Sequence, residues 1–251
     1  MKAIIATSLK TLAYLCLLII IYLLTLCFPQ SFYKDHVTAG NISIYSDQEI
    51  PQKEIKQIIQ EVQNRIERSE LYKRETKHRI FITNNDIRWR YFTNINYKVG
   101  GLNYVIFNHN VFLRKADIAN NRLYGYSGKK VPGDRTLDYF IAHEITHTLE
   151  FQSMPWYKYP VKTNWVLEGY AEYIAHNSQS YEGSLDYYLN IPETTGAKYY
   201  TRARTMVSYM LEKKNVPISN LWSSVGSYDS IILEAIPNNK PNIDDSMSEA
   251  F

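Results

Sequence analysis

Eighteen consecutive residues without a charge, Thr11 to Phe28 (TLAYLCLLIIIYLLTLCF), set the first constraint on this chain. A run of that length is about the shortest that crosses a hydrocarbon layer of roughly 30 Å as one helix. Ile4, Ile5, Ala6 and Leu9 extend it toward Met1. The basic start (Lys2, Lys10) and apolar middle also fit a cleaved signal peptide, but no small-x-small cleavage site follows in Cys27-Phe28-Pro29-Gln30-Ser31. We therefore expect a retained signal-anchor over residues 11–28. By the positive-inside rule residues 1–10 then lie in the cytoplasm and everything from about residue 30 onward outside it. Cleavage would export the same domain as a secreted protein.

The chain's two cysteines, Cys16 and Cys27, both lie in that run, so the exported part forms no intrachain disulfide and relies on packing or a bound metal. That fits a bacterial cell envelope better than an extracellular animal setting. Of the net charge of +3, Lys2 and Lys10 supply two, which leaves no basic excess for nucleic acid. With 45% hydrophobic and 21% charged residues the remainder reads as one folded globular domain. The 22 tyrosines are spread along the chain without a base-stacking motif.

Asn41 to Tyr45 (NISIY) alternates like a strand, and Pro51 to Arg68 carries Ile55, Ile58, Ile59, Val62 and Ile66 at helical spacing. The six Lys/Arg and three Glu of Arg65 to Arg79 read as a solvated face. Arg79 to Thr83 (RIFIT) and Leu102 to Phe107 (LNYVIF) are the next strand candidates, with a polar stretch around Arg88, Trp89 and Arg90 between them. From Asp134 the period turns helical: Leu137, Phe140, Ile141, Ile145 and Leu149, with Asp134 or Thr136 able to cap the start. Further helices are expected over 163–175, 197–213 and near Ser219, followed by a flexible tail over 237–251. Strands first and helices second predict an α+β domain over residues 29–236: a small N-terminal sheet, then a helical C-terminal half.

Within the first of these later helices stands His143-Glu144-Ile145-Thr146-His147. At 100° per residue the two imidazoles lie one turn apart on one face, where both reach a single ion, with Glu144 beside them as a base. A catalytic zinc site needs a third protein ligand. Twenty residues on, Trp165-Val166-Leu167-Glu168-Gly169-Tyr170-Ala171-Glu172 offers Glu168, and on a helix Glu172 follows one turn later, placed to accept from a ligating histidine and orient it. Without the first motif, Glu168 and Glu172 would read as solvated carboxylates. His36, His78, His109 and His176 show no ligand spacing and read as surface or locally bonded residues.

H-E-x-x-H followed by W-x-x-E-G-x-A-E resembles the gluzincin metallopeptidases, and within them the peptidase MA-like group of exported or membrane-anchored bacterial proteins. The likeness covers residues 40 to 215, and its specific part is Asp138 to Tyr173. It implies a zincin-like fold, one Zn²⁺ per chain held by His143, His147 and Glu168, Glu144 as general base, Glu172 behind the ligands, and hydrolysis of a peptide or protein substrate. In such families a Tyr or His from a downstream helix stabilises the oxyanion; Tyr200 is the candidate here and Tyr199 its near alternative. Larger gluzincin aminopeptidases carry a Gly-x-Met-Glu-Asn strand whose Glu grips the substrate amine. Here the comparable stretch is Gly100-Gly101-Leu102-Asn103, and the missing Glu favours an endopeptidase over an aminopeptidase. The competing reading is a catalytically silent zincin-fold module that binds a peptide or envelope protein, although an intact Glu144 has no use in a purely binding site. An intramembrane protease is excluded because Asp138 and Glu150 make the flanks of the motif polar.

Overall fold

Ile42 and Ile44 on one strand, Ile80 and Ile82 on the next, and Val111 and Leu113 on a third present one continuous apolar face. That face is what the rest of the chain folds against. The computed structural model describes residues 2–105, 109–161, 164–176, 180–191, 197–222 and 228–236. Helix α1 (Lys2–Cys27) leads into β1 (Asp35–Ala39), β2 (Ile42–Ser46), α2 (Gln52–Ile66), β3 (His78–Ile82), α3 (Asp86–Thr93), β4 (Gly101–Asn103) and β5 (Asn110–Leu113). A small ribbon, β6 (Ala116–Asp117) and β7 (Arg122–Leu123), precedes α4 (Leu137–Gln152), α5 (Asn164–Ala175), α6 (Tyr181–Asn190), α7 (Ala197–Glu212), α8 (Ile218–Leu221) and α9 (Tyr228–Ala235). The architecture is α+β.

The main sheet is mixed, with strand order β1-β2-β3-β5-β4. β1 pairs antiparallel with β2, β2 and β3 run parallel, β3 and β5 run parallel, and β4 closes the far edge antiparallel to β5. The parallel β2/β3 pair requires a crossover, and α2 supplies it. Its Ile55, Ile58, Ile59, Val62 and Ile66 pack with the Leu137, Ile141, Ile145 and Leu149 stripe of α4 onto the isoleucine face. Phe81 and Phe112 point to the opposite face, where Trp89 and Phe92 of α3 and Leu26 of α1 cover them. A second core joins α5, α7 and α9 through Trp165, Val166, Ile174, Met206, Val207, Ile231 and Ile232. Gly169 makes the α5/α7 contact possible, since a Cβ there would stand 2.5 Å from the Ala203 carbonyl oxygen.

Several sequence expectations change. Arg65 is buried rather than part of a solvated face, and Arg68, though exposed, also bonds to the fold. Arg65 Nε donates to Asp138 Oδ2 at 2.9 Å and its Nη1 to the Ala175 carbonyl, while Arg68 Nη2 donates to the carbonyls of Ile174 (3.1 Å) and His176 (2.8 Å). These two cations satisfy the open carbonyls at the C-terminal end of α5, where the helix dipole favours positive charge. The strand expected over 102–107 is confined to Gly101–Asn103, and residues 106–107 lie outside the described residues. The polar stretch around Trp89 is a helix, α3, capped by Asn85 Oδ1 accepting from Arg88 N at 3.0 Å. Thr136 takes the N-cap position of α4 without a side-chain cap bond. His78 is neither surface nor bonded: it is buried, and neither ring nitrogen has a hydrogen-bond partner among the described residues. The tail from Pro237 lies outside the described residues, and Ser8–Cys27 of α1 is long and apolar enough to cross a membrane, as a signal sequence also is.

Candidate metal centre

The stripe that seats α4 on the sheet decides where its histidines point. Leu137, Ile141, Ile145 and Leu149 fall on one side of the helix, and His143 and His147 fall about 180° away, facing α5. From α5, Glu168 reaches back toward them. His143 Nε2 lies 3.3 Å from Glu168 Oε2, and His147 Nε2 lies 3.8 Å from Glu168 Oε1. Potential ligand atoms of the three residues all fall within 4.8 Å of one another, so the group can hold a metal ion. Four ligands about 2.05 Å from a tetrahedral centre stand about 3.3 Å apart, which is the spacing these atoms approach.

A carboxylate stands beside each outward nitrogen, hydrogen-bonded at His147 and at ion-pair distance without a hydrogen bond at His143. His147 Nδ1 is 2.8 Å from Glu150 Oε2, and His143 Nδ1 is 3.3 Å from Glu172 Oε1. On a ligating imidazole, a carboxylate beside Nδ1 would hold the proton there and leave the Nε2 lone pair for an ion at the common point. Glu172, only 1% exposed, is itself surrounded: Arg135 Nη2 donates to it at 2.9 Å, the Tyr139 hydroxyl donates to the same oxygen, and His176 Nε2 stands 3.3 Å from Oε2. Asp134 Oδ2 lies 3.2 Å from the other nitrogen of His176.

Burial opposes charge on every one of these groups, and their pairing decides which way each titrates. Burial alone would lower both imidazoles; the carboxylates Glu168 and Glu172 overcome this and raise His143, and Glu150 and Glu168 raise His147 to about 9. Glu150 is pushed up to about 7 by burial, against the pull of His147. Burial works to raise Glu172 as well, but Arg135, His143 and His176 hold it well below the usual carboxylate range. Glu144 moves upward because burial dominates over the two histidines.

A cleft of about 750 Å³ opens over the cluster, lined by Glu144, His143, His147, Glu168, Tyr200 and the β4 edge. Glu144 touches β4 so closely that residue 101 has room for no side chain: a Cβ there would sit 2.4 Å from Glu144 Oε1. Asn103, two residues on, donates from Nδ2 to the Glu144 carbonyl and to Thr148 Oγ1 (2.8 Å), which ties the edge strand to α4. Tyr200 on α7 also reaches the site, its ring 6.3 Å from that of His143 and 5.1 Å from the Arg135 guanidinium. Tyr199 packs against Tyr200, ring centroids 5.3 Å apart.

All six residues singled out in the sequence (His143, Glu144, His147, Glu168, Glu172 and Tyr200) meet around this cleft. Sequence reasoning overlooked Glu150 and His176, although both carried a signal. Glu150 follows His147 by three residues on the same helix side, and His176 follows Glu172 by four. Arg135, Tyr139 and Asn103 gave none, because their role depends on how α4, α5 and β4 pack. No protein-family model matches the chain, and no curated protein matches it.

Proposed function

We propose that the protein is a membrane-anchored, zinc-dependent peptidase: a zincin-like domain over residues 29–236 carried by a signal-anchor over residues 11–28, acting outside the cytoplasm on peptide or protein substrates. The observation that carries this reading is the convergence of His143 Nε2, His147 Nε2 and the Glu168 carboxylate beside a buried Glu144 on one open cleft. Two imidazoles and one carboxylate are a donor set suited to catalytic zinc, which keeps a position free for water or substrate. The carboxylates on both Nδ1 atoms are what ligating histidines require.

When bound, a zinc ion at this place would lower the pKa of water and polarise an amide carbonyl. The chain's own groups do the rest. Glu144, raised by burial, accepts the proton of the attacking water and returns it to the leaving amine. Tyr200 offers a hydroxyl donor to the developing oxyanion; burial, with Glu168 next in effect, raises its pKa and keeps it protonated. The β4 edge, Gly101–Asn103, has no partner strand on its outer side among the described residues and would present an extended peptide to the cleft by strand addition. No carboxylate stands in that strand to grip an amino terminus, which favours internal cleavage.

The test is the full chain in lipid nanodiscs beside Glu144→Gln, each analysed for bound zinc and assayed on a broad quenched-peptide library. About one zinc in both proteins, with cleavage lowered about 10²- to 10⁴-fold in the variant, supports the peptidase. Zinc in both and cleavage in neither makes the silent binding module the better account. Absence of zinc from both removes His143, His147 and Glu168 as ligands.

A further inference from the structure

Helix α1 does not leave the domain on a free tether. Leu26 is buried with Tyr33, Phe81, Trp89, Phe92 and Phe112. The Tyr22 hydroxyl donates to the Tyr91 carbonyl at 3.2 Å, the hydroxyls of Thr25 and Tyr91 are 2.7 Å apart, and Asn110 Nδ2 donates to the Leu26 carbonyl at 2.8 Å. The last turn and a half of α1 is therefore fixed to α3. On α3 Ile87 stands one turn before Tyr91 and is 81% exposed, and Ile95, in the short turn Asn94–Asn96 that follows α3, is 88% exposed. Phe32, with its ring 6.1 Å from that of Tyr91, widens the patch.

Scattered exposed apolar residues need no explanation, and here it is position that matters. The apolar length Ser8–Cys27 is 20 residues, about 30 Å at ~1.5 Å per residue, which is the whole hydrocarbon layer. Tyr22 stands five residues before its end, roughly 7 Å inside it. Tyr91 and Asn94, whose side-chain amide donates to the Tyr22 hydroxyl, stand at that depth too. Sliding α1 outward until they clear the bilayer would draw Lys10 about two turns into hydrocarbon, which a charged side chain resists.

We propose that Ile87, Tyr91 and Ile95, with Phe32, form a foot seated in the interfacial layer of the bilayer that α1 crosses. The proposal rests on α1 being a retained anchor and is independent of the peptidase chemistry. Lipid is the occupant because the patch is continuous with the spanning helix, and because Tyr22 and Tyr91 are of an aromatic type that collects at that boundary. The foot lies on the Phe81/Phe112 side of the sheet, whereas α4 packs on the isoleucine side. Asn96, next to Ile95 in the chain, lines the cleft, so seating the foot fixes the cleft's orientation toward the membrane.

The experiment uses the full chain with Cys16→Ser and Cys27→Ser in phosphatidylcholine/phosphatidylglycerol nanodiscs. A nitroxide is attached at one cysteine at a time, introduced as Leu18→Cys, Ile87→Cys, Ile95→Cys or Leu189→Cys, and its collision rates with oxygen and with a water-soluble nickel chelate are measured. Leu189, on α6, is the aqueous reference. The foot predicts an oxygen-to-nickel ratio at 87 and 95 severalfold above that at 189 and below that at 18. Ratios at 87 and 95 equal to that at 189, with 18 embedded, overturn the foot while leaving the anchor. Spin–spin broadening at 95 from a second copy, without lipid contact, overturns it in favour of self-association. An aqueous label at 18 overturns the anchor and the foot together.

Discussion

Glu144 and Gly101 occupy one space: the carboxylate of Glu144 rests where the side chain of any other residue at position 101 would begin, with Oε1 2.4 Å from the place of a Cβ. Gly101 opens the edge strand β4, so the base of the proposed reaction is set by contact with the strand that would present the substrate. Gly101→Ala is expected to displace the Glu144 carboxylate, the flexible partner in the clash, and to leave the fold standing. Displacement of a catalytic group by about 1 Å costs on the order of 10²-fold in rate. Zinc content should stay at wild-type level, because His143, His147 and Glu168 are untouched. A variant with normal kcat, or one that loses metal with activity, would refute this account.

Glu150 provides a second test, this time of metal affinity. Its Oε2 is 2.8 Å from His147 Nδ1, and it is fully buried. Glu150→Gln keeps an acceptor but removes the charge, and Glu150→Ala removes both. Loss of such a partner commonly weakens a metal site by about 10- to 100-fold, so chelator competition should rank wild type above Gln and Gln above Ala. Equal affinity in all three would mean that the carboxylate does not orient His147.

A third prediction concerns the strut behind the site. Arg65, 6% exposed, bonds to Asp138 in the first turn of α4 and to the carbonyl of Ala175, the last residue of α5. It thereby joins the helix carrying the histidines to the helix carrying Glu168. Burial works to raise Asp138, but Thr136, Arg65 and Asn121 hold it below the usual carboxylate range, so it stays charged. Arg65→Met leaves that charge buried with no cation against it and should lower unfolding free energy by about 3–5 kcal/mol. Adding Asp138→Asn should return part of the loss, a coupling that a double-mutant cycle in denaturant measures. Strictly additive effects would show that the pair does not act as a unit.

What could be read from the sequence follows from how each element is covered. α2 and α4 each bury one side against the sheet, so their apolar residues recur at helical spacing. α5 announced itself through Trp165-Val166-Leu167-Glu168. β5 escaped notice because all four of its residues are buried and no alternation survives. β1 escaped for the opposite reason: at the sheet edge only Val37 is buried. α3 is eight residues long, and its Trp89, Phe92 and Thr93 turn inward while Ile87 faces out, so its pattern is too short and too mixed to register. The candidate-site residues were legible because four of them sit at i, i+4 on two helices. Arg65 looked like one more solvated cation because its partners lie 73 and 110 residues away.

His78 makes the stability of this domain depend on pH in a direction that can be stated in advance. Its ring is 1% exposed, neither nitrogen has a hydrogen-bond partner among the described residues, and burial, with a smaller push from His109, lowers its pKa from 6.5 to about 4. The unfolded chain takes up a proton near pH 6.5 that the folded chain refuses until about pH 4. The stability that neutral His78 contributes is thus complete above pH 6.5 and is lost as pH falls toward 4, at about 1.4 kcal/mol per pH unit and about 3 kcal/mol in all. His78→Leu removes the titrating group without leaving a polar atom unpaired. Denaturant unfolding of the wild type and this variant at several pH values between 7 and 4 should give curves that diverge by about that slope, with the variant the flatter. Parallel curves would mean that His78 gains water or a partner in the folded protein and titrates near its ordinary value.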